Sequence, residues 1–215
     1  MFVKDYMTAA PITITPATPV LEALEIMKRH EIRHLPVADR GKLVGLVTER
    51  GLLTVSPSPA TTLSVYEMNY LLAKMTVKEA MVKSLITTTP AATIEDAALI
   101  MRDKKVGCLP VLEAAELVGI ITQTDIFDSL VDIFGLRKAG VRIVVETRNR
   151  LGVLADILGV VRENNIHVIG VACLDRDDGK VYIMLRLRTA KPETIVESLK
   201  AAGFKVAYGI ENEGG

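Results

Sequence analysis

The chain has 215 residues, of which 49% are hydrophobic and 24% charged, a balance typical of a folded globular protein and not of a disordered one. Lysine plus arginine equals aspartate plus glutamate, with 26 of each, so the net charge predicts neither nucleic acid nor a membrane as a partner. Every apolar run is shorter than the roughly 18 residues that a membrane span needs. The N-terminus lacks the apolar stretch of a signal peptide, and Cys108 and Cys173 lack metal-site spacing, so a cytoplasmic location is predicted.

One segment of the chain occurs twice. A shift of 74 positions, which moves Val3 onto Val77, aligns residues 3–53 with residues 77–127 without a gap. Roughly a third of the aligned positions are identical, and the shift places HLPV on CLPV and LVGLVT on LVGIIT. An internal repeat of this kind indicates two copies of one structural unit.

Each copy predicts the same order of elements: a short strand, a helix, two strands joined by a turn, and a second short helix. In the first copy these are expected at residues 12–15, from residue 19, at 33–38, at 43–48 and from residue 49. In the second copy they are expected at residues 86–89, from residue 94, at 107–112, at 117–122 and from residue 123.

The longer helix of each copy carries a start signal. Thr18 before Pro19 predicts an N-cap with proline at the first helical position. Thr93 with Asp96 three residues later predicts a capping box. Apolar residues then recur at i, i+3, i+4 and i+7, so one face of each helix is expected in the core: Val20, Ala23, Leu24 and Met27; Ile94, Ala97, Ala98 and Met101.

The domain boundaries follow from the repeat. The first unit is assigned to residues 1–56 and the second to residues 77–133. Residues 57–76 form a connector with a short helix, in which a proline- and serine-bearing stretch at 55–65 precedes a helix predicted at 66–74.

The tail at residues 140–210 shows no copy of the repeat. Strands are predicted at 141–147, 167–174, 180–187 and 204–209, and helices at 150–164 and 191–203. An Asp-Gly turn at 178–179 joins the middle strands, and Gly203 is expected to cap the last helix. The order β-α-β-β-α-β predicts a ferredoxin-like sheet with its helices on one face.

The duplicated unit resembles the CBS domain, a family usually found as a tandem pair called a Bateman module. The resemblance rests on LPV, the turn and LVG-aliphatic-aliphatic-Thr in both copies, and it covers about residues 1–130. The tail resembles an ACT domain, on NRLGVL at 149–154 and NNIHVIGV at 164–171. The combination is similar to the bacterial acetoin-utilisation regulatory proteins. The expected fold class is α+β, with two CBS units packed as a pseudo-twofold pair and a ferredoxin-like βαββαβ (ACT) domain.

The two copies differ at one strand end. GIITQTD at 119–125 ends in Asp125, whereas GLVTERG at 45–51 ends in Gly51. Thr122 with an acid three residues later is typical of a helix cap. It is equally typical of a site where Asp125 accepts hydrogen bonds from ribose hydroxyls and the helix start faces a phosphate. The residues leave both interpretations open, and the CBS resemblance implies the ribose, since CBS modules that bind adenosine compounds use this Thr and Asp.

The CBS resemblance also implies two equivalent clefts, each built from the strand end of one copy and the early strands of the other. Arginine forks match phosphate oxygens, and an apolar strand edge suits a purine. The nucleotide site is therefore assigned to Ile120, Thr122 and Asp125, with Pro11 and Ile12 beside the base and Arg33, His34 and Arg50 toward the phosphates. The opposite cleft has neither an acid nor a cation: Thr48, Gly51, Leu85, Ile86, Gly107, Cys108 and Thr124. One competent nucleotide site is predicted.

Simpler interpretations of the cations remain open. A charged residue before a buried strand, such as Arg33 or His34, is often only a solvated edge. His30 and His34 lie four residues apart, but no third ligand is near them in the sequence, so no metal site is predicted.

The tail contains a second candidate loop. Asn149 is expected to cap the following helix, and Gly152 in its first turn would let a ligand approach the backbone closely. The ACT resemblance implies that Asn149, Leu151 and Gly152 form a ligand loop for an amino acid. The alternative is an ordinary capped turn in a domain that only dimerises.

No catalytic motif is present. The three histidines and two cysteines offer no base–nucleophile pair, and the chain has neither a P-loop nor GxGxxG, so no enzyme activity and no catalytic cofactor are predicted. The predicted function is a regulatory sensor, a homodimer that binds an adenine nucleotide (AMP, ADP or ATP) and passes the signal through domain rearrangement to the ACT domain or a regulated protein partner. Acetoin metabolism is the pathway that the resemblance suggests. A dimerisation scaffold without nucleotide and an S-adenosylmethionine sensor are the alternatives.

Overall fold

The computed structural model describes residues 1–55 and 74–212, with side chains as far as residue 207. It divides into two units, Met1–Phe127 and Asp128–Gly215. The connector and the helix predicted at 66–74 fall outside the described residues except for their end residues.

Each copy of the repeat forms a helix and an antiparallel hairpin. The first copy contains a 3-10 helix (Val3–Asp5), β1 (Thr8–Ala9), α1 (Val20–Arg29), β2 (His34–Asp39), β3 (Lys42–Thr48) and α2 (Glu49–Val55). The second contains α3 (Val77–Ala80), α4 (Ile94–Lys104), β4 (Cys108–Glu113), β5 (Glu116–Thr122) and α5 (Gln123–Ile133). The hairpin strands and the helices after them lie within one or two residues of their predicted bounds.

The first predicted strand of each copy is wrong. Residues 12–15 make a single parallel bridge, in which Ile14 accepts from Ala38 and donates to the carbonyl of Pro36. The ladder cannot extend in either direction, because the next bonds would need backbone N–H groups from Pro16 and Pro36, and proline has none. The second copy has prolines at the equivalent positions, 90 and 110, and there Thr88 alone forms the bridge.

The two predicted caps have different outcomes. Thr93 is confirmed as the N-cap of α4, since its Oγ1 accepts the Asp96 N–H at 3.0 Å. The Asp96 carboxylate accepts from the Thr93 hydroxyl at 2.7 Å and not from the Thr93 backbone N–H, so the predicted capping box forms only in part. The Thr18 cap is wrong. Pro19 is the N-cap of α1, and the Thr18 hydroxyl oxygen instead accepts the Thr15 N–H at 3.1 Å. The turn before the helix therefore uses the side chain that the cap would have needed.

The two copies exchange their first residues. β1 of the first copy pairs with β5 of the second, with Thr8 opposite Ile120. Val82, which lies 74 residues after Thr8, forms the equivalent bridge with Leu46 of the first copy. This reciprocal pairing is the relation that a local twofold axis produces.

The hydrophobic cores follow the same exchange. Val3 of the first copy is fully buried in the core of the second, and Val77 of the second is fully buried in the core of the first. The first core contains Ile14, Val20, Ala23, Met27, Leu35, Val37, Val47, Leu52 and Val77. The second contains Val3, Ile94, Ala97, Met101, Leu109, Val111 and Ile121. Neither copy completes its core from its own residues.

The second unit has the element order β-α-β-β-α-β. It consists of β6 (Gly140–Arg148), α6 (Val153–Glu163), β7 (His167–Asp175), β8 (Lys180–Arg188), α7 (Pro192–Ala201) and β9 (Lys205–Asn212). The sheet is antiparallel with the strand order β7-β8-β6-β9. One core joins the sheet to both helices, and its fully buried residues include Ile143, Ile157, Ile183, Leu185, Leu187, Ile195 and Leu199.

Two helix ends of this unit differ from prediction. α6 begins at Val153 and not at residue 150, with Gly152 as its N-cap at φ +81°. The C-cap of α7 is Ala202, and Gly203 follows it with φ +86°. The glycine therefore takes the left-handed position just after the cap, where its lack of a Cβ removes the steric cost.

Candidate functional site

The candidate cleft begins where β5 passes into α5. Thr122 is the last residue of β5 and Asp125 is the third of α5. Oδ2 of Asp125 accepts hydrogen bonds from the Thr122 backbone N–H at 2.6 Å and from the Thr122 hydroxyl at 2.8 Å. Within residues 1–55 and 74–212, Oδ1 has no donor. Asp125 thus closes the helix start with one oxygen and leaves the other available to a ligand.

The same strand end in the first repeat lacks the acid. Thr48 Oγ1 accepts the N–H of Gly51 at 3.0 Å, which reproduces only part of the cap. A Cβ on Gly51 would meet a single atom within 4 Å, Thr48 Oγ1 at 3.1 Å, so a side chain there would need a small shift of the threonine. The two strand ends differ in chemistry, since only the second repeat has a carboxylate at this position.

Ile120 lies on β5, whereas Pro11 and Ile12 follow β1 and belong to no strand. Ile120 on β5 is buried and stands opposite the first residue of β1. Pro11 is half-buried and Ile12 is 38% exposed. Because β1 and β5 are antiparallel, the chain continues from β1 toward the start of β5. The contact with β5 runs as far as Ala10, whose N–H donates to the Val118 carbonyl at 3.1 Å, and Pro11 and Ile12 come after it.

The three candidate cations lie at one end of the β2–β3 hairpin, where β2 begins and β3 passes into α2. His34 begins β2 opposite Thr48, and the Arg33 carbonyl accepts the Glu49 N–H at 3.0 Å. Arg50 follows in the first turn of α2. Arg33 and Arg50 are exposed, and neither forms an ion pair with another described residue. The assignment of these three side chains to the phosphates of a nucleotide stays a prediction.

His34 reaches the second repeat. Its Nε2 atom lies 3.1 Å from the position that a Cβ on Gly107 would occupy. The Gly107 carbonyl accepts the N–H of Gln123, the first residue of α5, at 3.0 Å. The imidazole is therefore next to the residues that open the helix of Asp125. The sequence analysis assigned His34 and Gly107 to opposite clefts, whereas the structure makes them neighbours. The signal in the sequence was the repeat alignment, in which the glycine at position 107 stands opposite Arg33.

The surroundings of His34 disfavour its charged form. Burial lowers the pKa of His34 from its ordinary value of 6.5, and the adjacent Arg33 guanidinium lowers it further. The imidazole is therefore neutral at pH 7 in the free protein and can donate one hydrogen bond. An anion placed beside it would favour the protonated form.

The residues assigned to the opposite cleft supply no charge. Cys108 is buried on β4, and burial raises the pKa of its thiol to about 12, so it stays protonated. Leu85 and Ile86 are half-buried, and Thr124 is exposed. These side chains offer no ionic group to a ribose or a phosphate.

The predicted ACT loop has a different geometry from the one expected. Asn149 is not the N-cap of α6; its amide donates to the Asp175 carboxylate on β7 at 2.9 Å, and Gly152 occupies the cap position. Leu151 is fully exposed. A Cβ on Gly152 would meet no atom within 4 Å, so its backbone is open to solvent. The loop is accessible, and Asn149 is held by β7 because the chain turns into the helix three residues later than predicted.

A cavity of about 270 Å³ lies at the other end of α6. None of Asn149, Leu151 and Gly152 contributes to it. Its lining residues are Leu158, Val161, Arg162, Asn165, Ile166, His167 and Val168.

Neither a metal cluster nor a membrane helix is found in the part of the chain that the structure describes. No three His, Cys, Asp or Glu side chains there come together to hold a metal ion. No helix there has both the length and the apolar character needed to cross a bilayer.

The duplicated segment matches a known family. The family model described as the CBS domain matches residues 3–58 and again residues 77–132, more than half of the chain. The chain belongs to the CBS domain family. The match ends at residue 132, and the C-terminal unit, β6 to β9, lies beyond it.

Two curated relatives show the range of proteins that carry a CBS pair. The CBS domain-containing protein YhcV of Bacillus subtilis is 28% identical over 124 residues, which are 58% of this chain and 81% of YhcV. The inosine-5'-monophosphate dehydrogenase of Korarchaeum cryptofilum is 35% identical over 125 residues, 58% of this chain but only 23% of the enzyme. The similarity to the enzyme covers its CBS part, a minor share of its length.

Solved structures resemble the CBS pair. A protein assigned to acetoin utilization (AcuB) from Vibrio cholerae is 30% identical with a TM-score of 0.53, over 64% of this chain and 96% of that one. CBSX2 in complex with AMP, an Arabidopsis thaliana protein, is 29% identical with a TM-score of 0.51, over 61% and 97%. The CBS pair of MJ0100 in complex with 5'-methylthioadenosine and S-adenosyl-L-methionine gives 29% and 0.51, over 64% and 98%. These alignments support the CBS-pair fold.

Proposed function

We propose that this CBS pair is a regulatory sensor that binds an adenine nucleotide (AMP, ADP or ATP) in the cleft at Thr122 and Asp125. The proposal is carried by one observation: Oδ1 of Asp125 has no donor among the described residues, while the first repeat has Gly51 at this position. A carboxylate that accepts from sugar hydroxyls is a known way to hold a ribose. The nucleotide is a regulatory ligand, and no catalytic cofactor is part of the proposal.

The cations of the first repeat favour a phosphate-bearing ligand. Arg33, His34 and Arg50 gather at one strand end of a chain whose lysines and arginines are balanced by its acids. Arginine forks match phosphate oxygens. S-adenosylmethionine carries a positive sulfonium beside its ribose, so the same cations would repel that part of it. AMP is therefore preferred over S-adenosylmethionine as the first ligand to test.

Two of the similar structures were solved with adenosine compounds. CBSX2 was solved with AMP, and the CBS pair of MJ0100 with 5'-methylthioadenosine and S-adenosyl-L-methionine. The three ligands share an adenosine group and differ in charge at the 5' position. The fold of this chain therefore supports an adenosine ligand, and its own cations support the phosphate.

The decisive experiment compares two matched caps. Asp125→Ala removes a carboxylate that binds the preceding threonine at the start of α5, and Asp96→Ala removes the equivalent group at the start of α4. Each should lower the free energy of unfolding by about 1 kcal/mol. In calorimetric titration with AMP, only Asp125→Ala should lose affinity. Equal AMP affinities for both variants and the wild type would contradict the ribose role.

The signal is proposed to leave the CBS pair through α5. This helix starts beside the cleft and continues beyond Phe127, the last residue of the first unit, into the second unit. A shift of its first turn on nucleotide binding would act on the chain that enters β6. The second unit, proposed to be a ferredoxin-like ACT domain, would respond to that shift by a change in its homodimer contacts or in its binding of a protein partner. The proposed location is the cytoplasm, and acetoin metabolism is the pathway to test.

An amino acid at the second unit is part of the proposal. The support is the fully exposed Leu151 and the open backbone of Gly152 at the loop before α6. A thermal-shift panel of the twenty amino acids tests it, because a ligand that binds only the folded state raises its melting temperature.

A dimerisation scaffold is the second candidate. Leu53 and Phe127 occupy equivalent positions in the two repeats and are 56% and 66% exposed, so each repeat presents an apolar side chain on the same helix face. Sedimentation of the full chain tests this candidate. A stable dimer with no thermal response to AMP, S-adenosylmethionine or amino acids would support it over the sensor.

A further inference from the structure

Gly107 stands where the two repeats differ most in side-chain size. The repeat alignment pairs Gly107 with Arg33 and the following Cys108 with His34. The first repeat therefore has two large basic side chains at the start of its hairpin. At the same two positions the second repeat has a glycine, without a side chain, and a cysteine with a small thiol. Both changes fall on the strand starts that come together inside the first unit.

The space that a side chain at Gly107 would fill is taken by a residue of the other repeat. His34 Nε2 would lie 3.1 Å from a Cβ there, and His34 Cε1 would lie 3.6 Å away. The first distance is tighter than ordinary van der Waals contact, so even an alanine would press on the imidazole. No positive φ requires glycine at this position. The ring of His34, and not the backbone, is the reason that a small residue is needed.

We propose that Gly107 is a specificity-determining position of the nucleotide cleft, because its missing side chain lets the His34 imidazole cross from the first repeat to the helix start that carries Asp125. The inference rests on the proposed function and narrows it. The cleft would select adenosine compounds with a 5'-phosphate over uncharged adenosine, and Gly107 would set that selectivity through the position of His34.

The path from Gly107 to the ligand is short. The Gly107 carbonyl accepts the Gln123 N–H, and the following residue, Cys108, pairs with Thr122. The imidazole that fills the space at Gly107 therefore stands within one residue of the first turn of α5. An anion near the start of a helix and beside an imidazole gains both a hydrogen bond and a favourable field.

The charge of His34 responds to what binds. The charged or titratable side chains on the elements around it are Arg33, Glu49, Arg50, Cys108 and Asp125. Burial and, after it, Arg33 hold the pKa of His34 below its ordinary value. A phosphate beside the ring favours the charged form and opposes the effect of Arg33, so its binding should bring a proton onto the ring.

The binding test uses AMP and adenosine as probes in calorimetric titration. Wild-type protein should bind AMP at least about tenfold more tightly than adenosine, since a charge-assisted hydrogen bond has that magnitude. His34→Gln should weaken AMP about tenfold and leave adenosine within about twofold. Gly107→Val should reproduce the loss, and Gly107→Val combined with His34→Gln should add nothing further, because Gly107 acts through His34. Gly159→Ala, where a Cβ meets no atom within 4 Å, is the control.

A second measurement needs no nucleotide. The chain has three histidines, so the proton NMR signal of His34 can be assigned by its absence from His34→Gln. In wild-type protein its pKa should lie below 6.5. Gly107→Ala should move that pKa toward 6.5, because the added methyl displaces the ring toward solvent.

The outcomes separate this inference from the proposed function. If AMP and adenosine both fail to bind wild-type protein, the proposed function fails and the specificity role of Gly107 fails with it. A shifted His34 pKa in Gly107→Ala would then show only that the two residues pack against each other. If AMP binds but the Gly107 and His34 variants keep the wild-type ratio of AMP to adenosine affinity, the inference is overturned while the sensor stands. An unchanged His34 pKa in Gly107→Ala would also overturn it.

Discussion

The sulfur of Met7 lies 2.5 Å from the position that a Cβ on Gly119 would occupy, and the sulfur of Met81 lies 2.7 Å from the same position on Gly45. Met81 and Gly119 lie 74 residues after Met7 and Gly45, so each methionine fills the glycine of the other repeat. The LVG glycine in both copies therefore makes room for a side chain from across the local twofold axis. The two contacts pack each repeat against the other.

Gly45→Ala should destabilise the first unit. Its Cβ would meet the Sδ, Cγ and Cβ atoms of Met81 within 3.2 Å, and overpacking of this kind costs about 1–3 kcal/mol. Urea unfolding measures the loss. In a Met81→Ala background the same substitution should cost clearly less, since the two nearest atoms, Sδ and Cγ, are gone. Gly159→Ala, in the interior of α6 with open space around it, should be neutral or stabilising. Equal costs in both backgrounds would place the strain elsewhere.

Gly51→Asp should stabilise the protein without creating a second nucleotide site. The residue is the third of α2, and its Cβ would lie 3.1 Å from Thr48 Oγ1. After a small shift of the threonine side chain, the new carboxylate would accept from the Thr48 hydroxyl as Asp125 does from Thr122. A completed cap and the loss of a helical glycine together add about 1–2 kcal/mol to the free energy of unfolding. Thermal unfolding and AMP stoichiometry measure the two effects. A second bound AMP would show that the carboxylate alone is enough to make a nucleotide site. That result would contradict the proposal that Arg33, His34 and Arg50 are needed for the phosphate.

His34 should make stability fall as the pH drops below about 6.5. Its pKa is lowered in the folded protein, first by burial and then by Arg33, while the unfolded chain keeps the ordinary value. Between the two pKa values the unfolded state binds the proton and the folded state does not, so acidification favours unfolding. The melting temperature of His34→Gln should change less than that of the wild type between pH 7.5 and 5.5. Parallel curves for the two proteins would contradict this assignment.

Glu146 should stabilise the second unit only above acidic pH. Its carboxylate contacts Lys180 and Lys205 at 3.0 Å each, and these hydrogen bonds, that of Lys180 first, lower the pKa of Glu146 below its usual value. A lowered carboxyl pKa contributes stability above about pH 4.5, and this contribution is lost as the pH falls through the folded value. Carbon NMR of Glu146 in Lys180→Met should show the pKa moving up. Lys42→Met, on the hairpin of the first repeat, is the control and should leave it unchanged.

The local features of the fold were predictable from the sequence. The hairpins, α4 with its Thr93 N-cap and the strands of the second unit depend on turn residues and on apolar periodicity within a few residues of each other. The strand predicted at residues 12–15 failed for a non-local reason. Its ladder depends on Pro36, which lies on another strand and has no N–H to donate.

The candidate site was predictable where the two repeats could be compared. Asp125 stood out because its counterpart is Gly51, and Arg33 and His34 because their counterparts are Gly107 and Cys108. The contact between His34 and Gly107 depends on how the two repeats pack against each other, and the sequence of one repeat does not predict this packing. The Asn149 cap failed for a similar reason, since Asn149 Nδ2 donates to Asp175 and this bond holds the side chain at β7.

The exchange of Val3 and Val77 between the two cores bears on how each repeat folds. A single repeat expressed alone would lack one wall of its interior and would have to borrow it from another molecule. Covalent linkage of the repeats supplies that missing wall within one molecule, so the fold of each half does not depend on protein concentration.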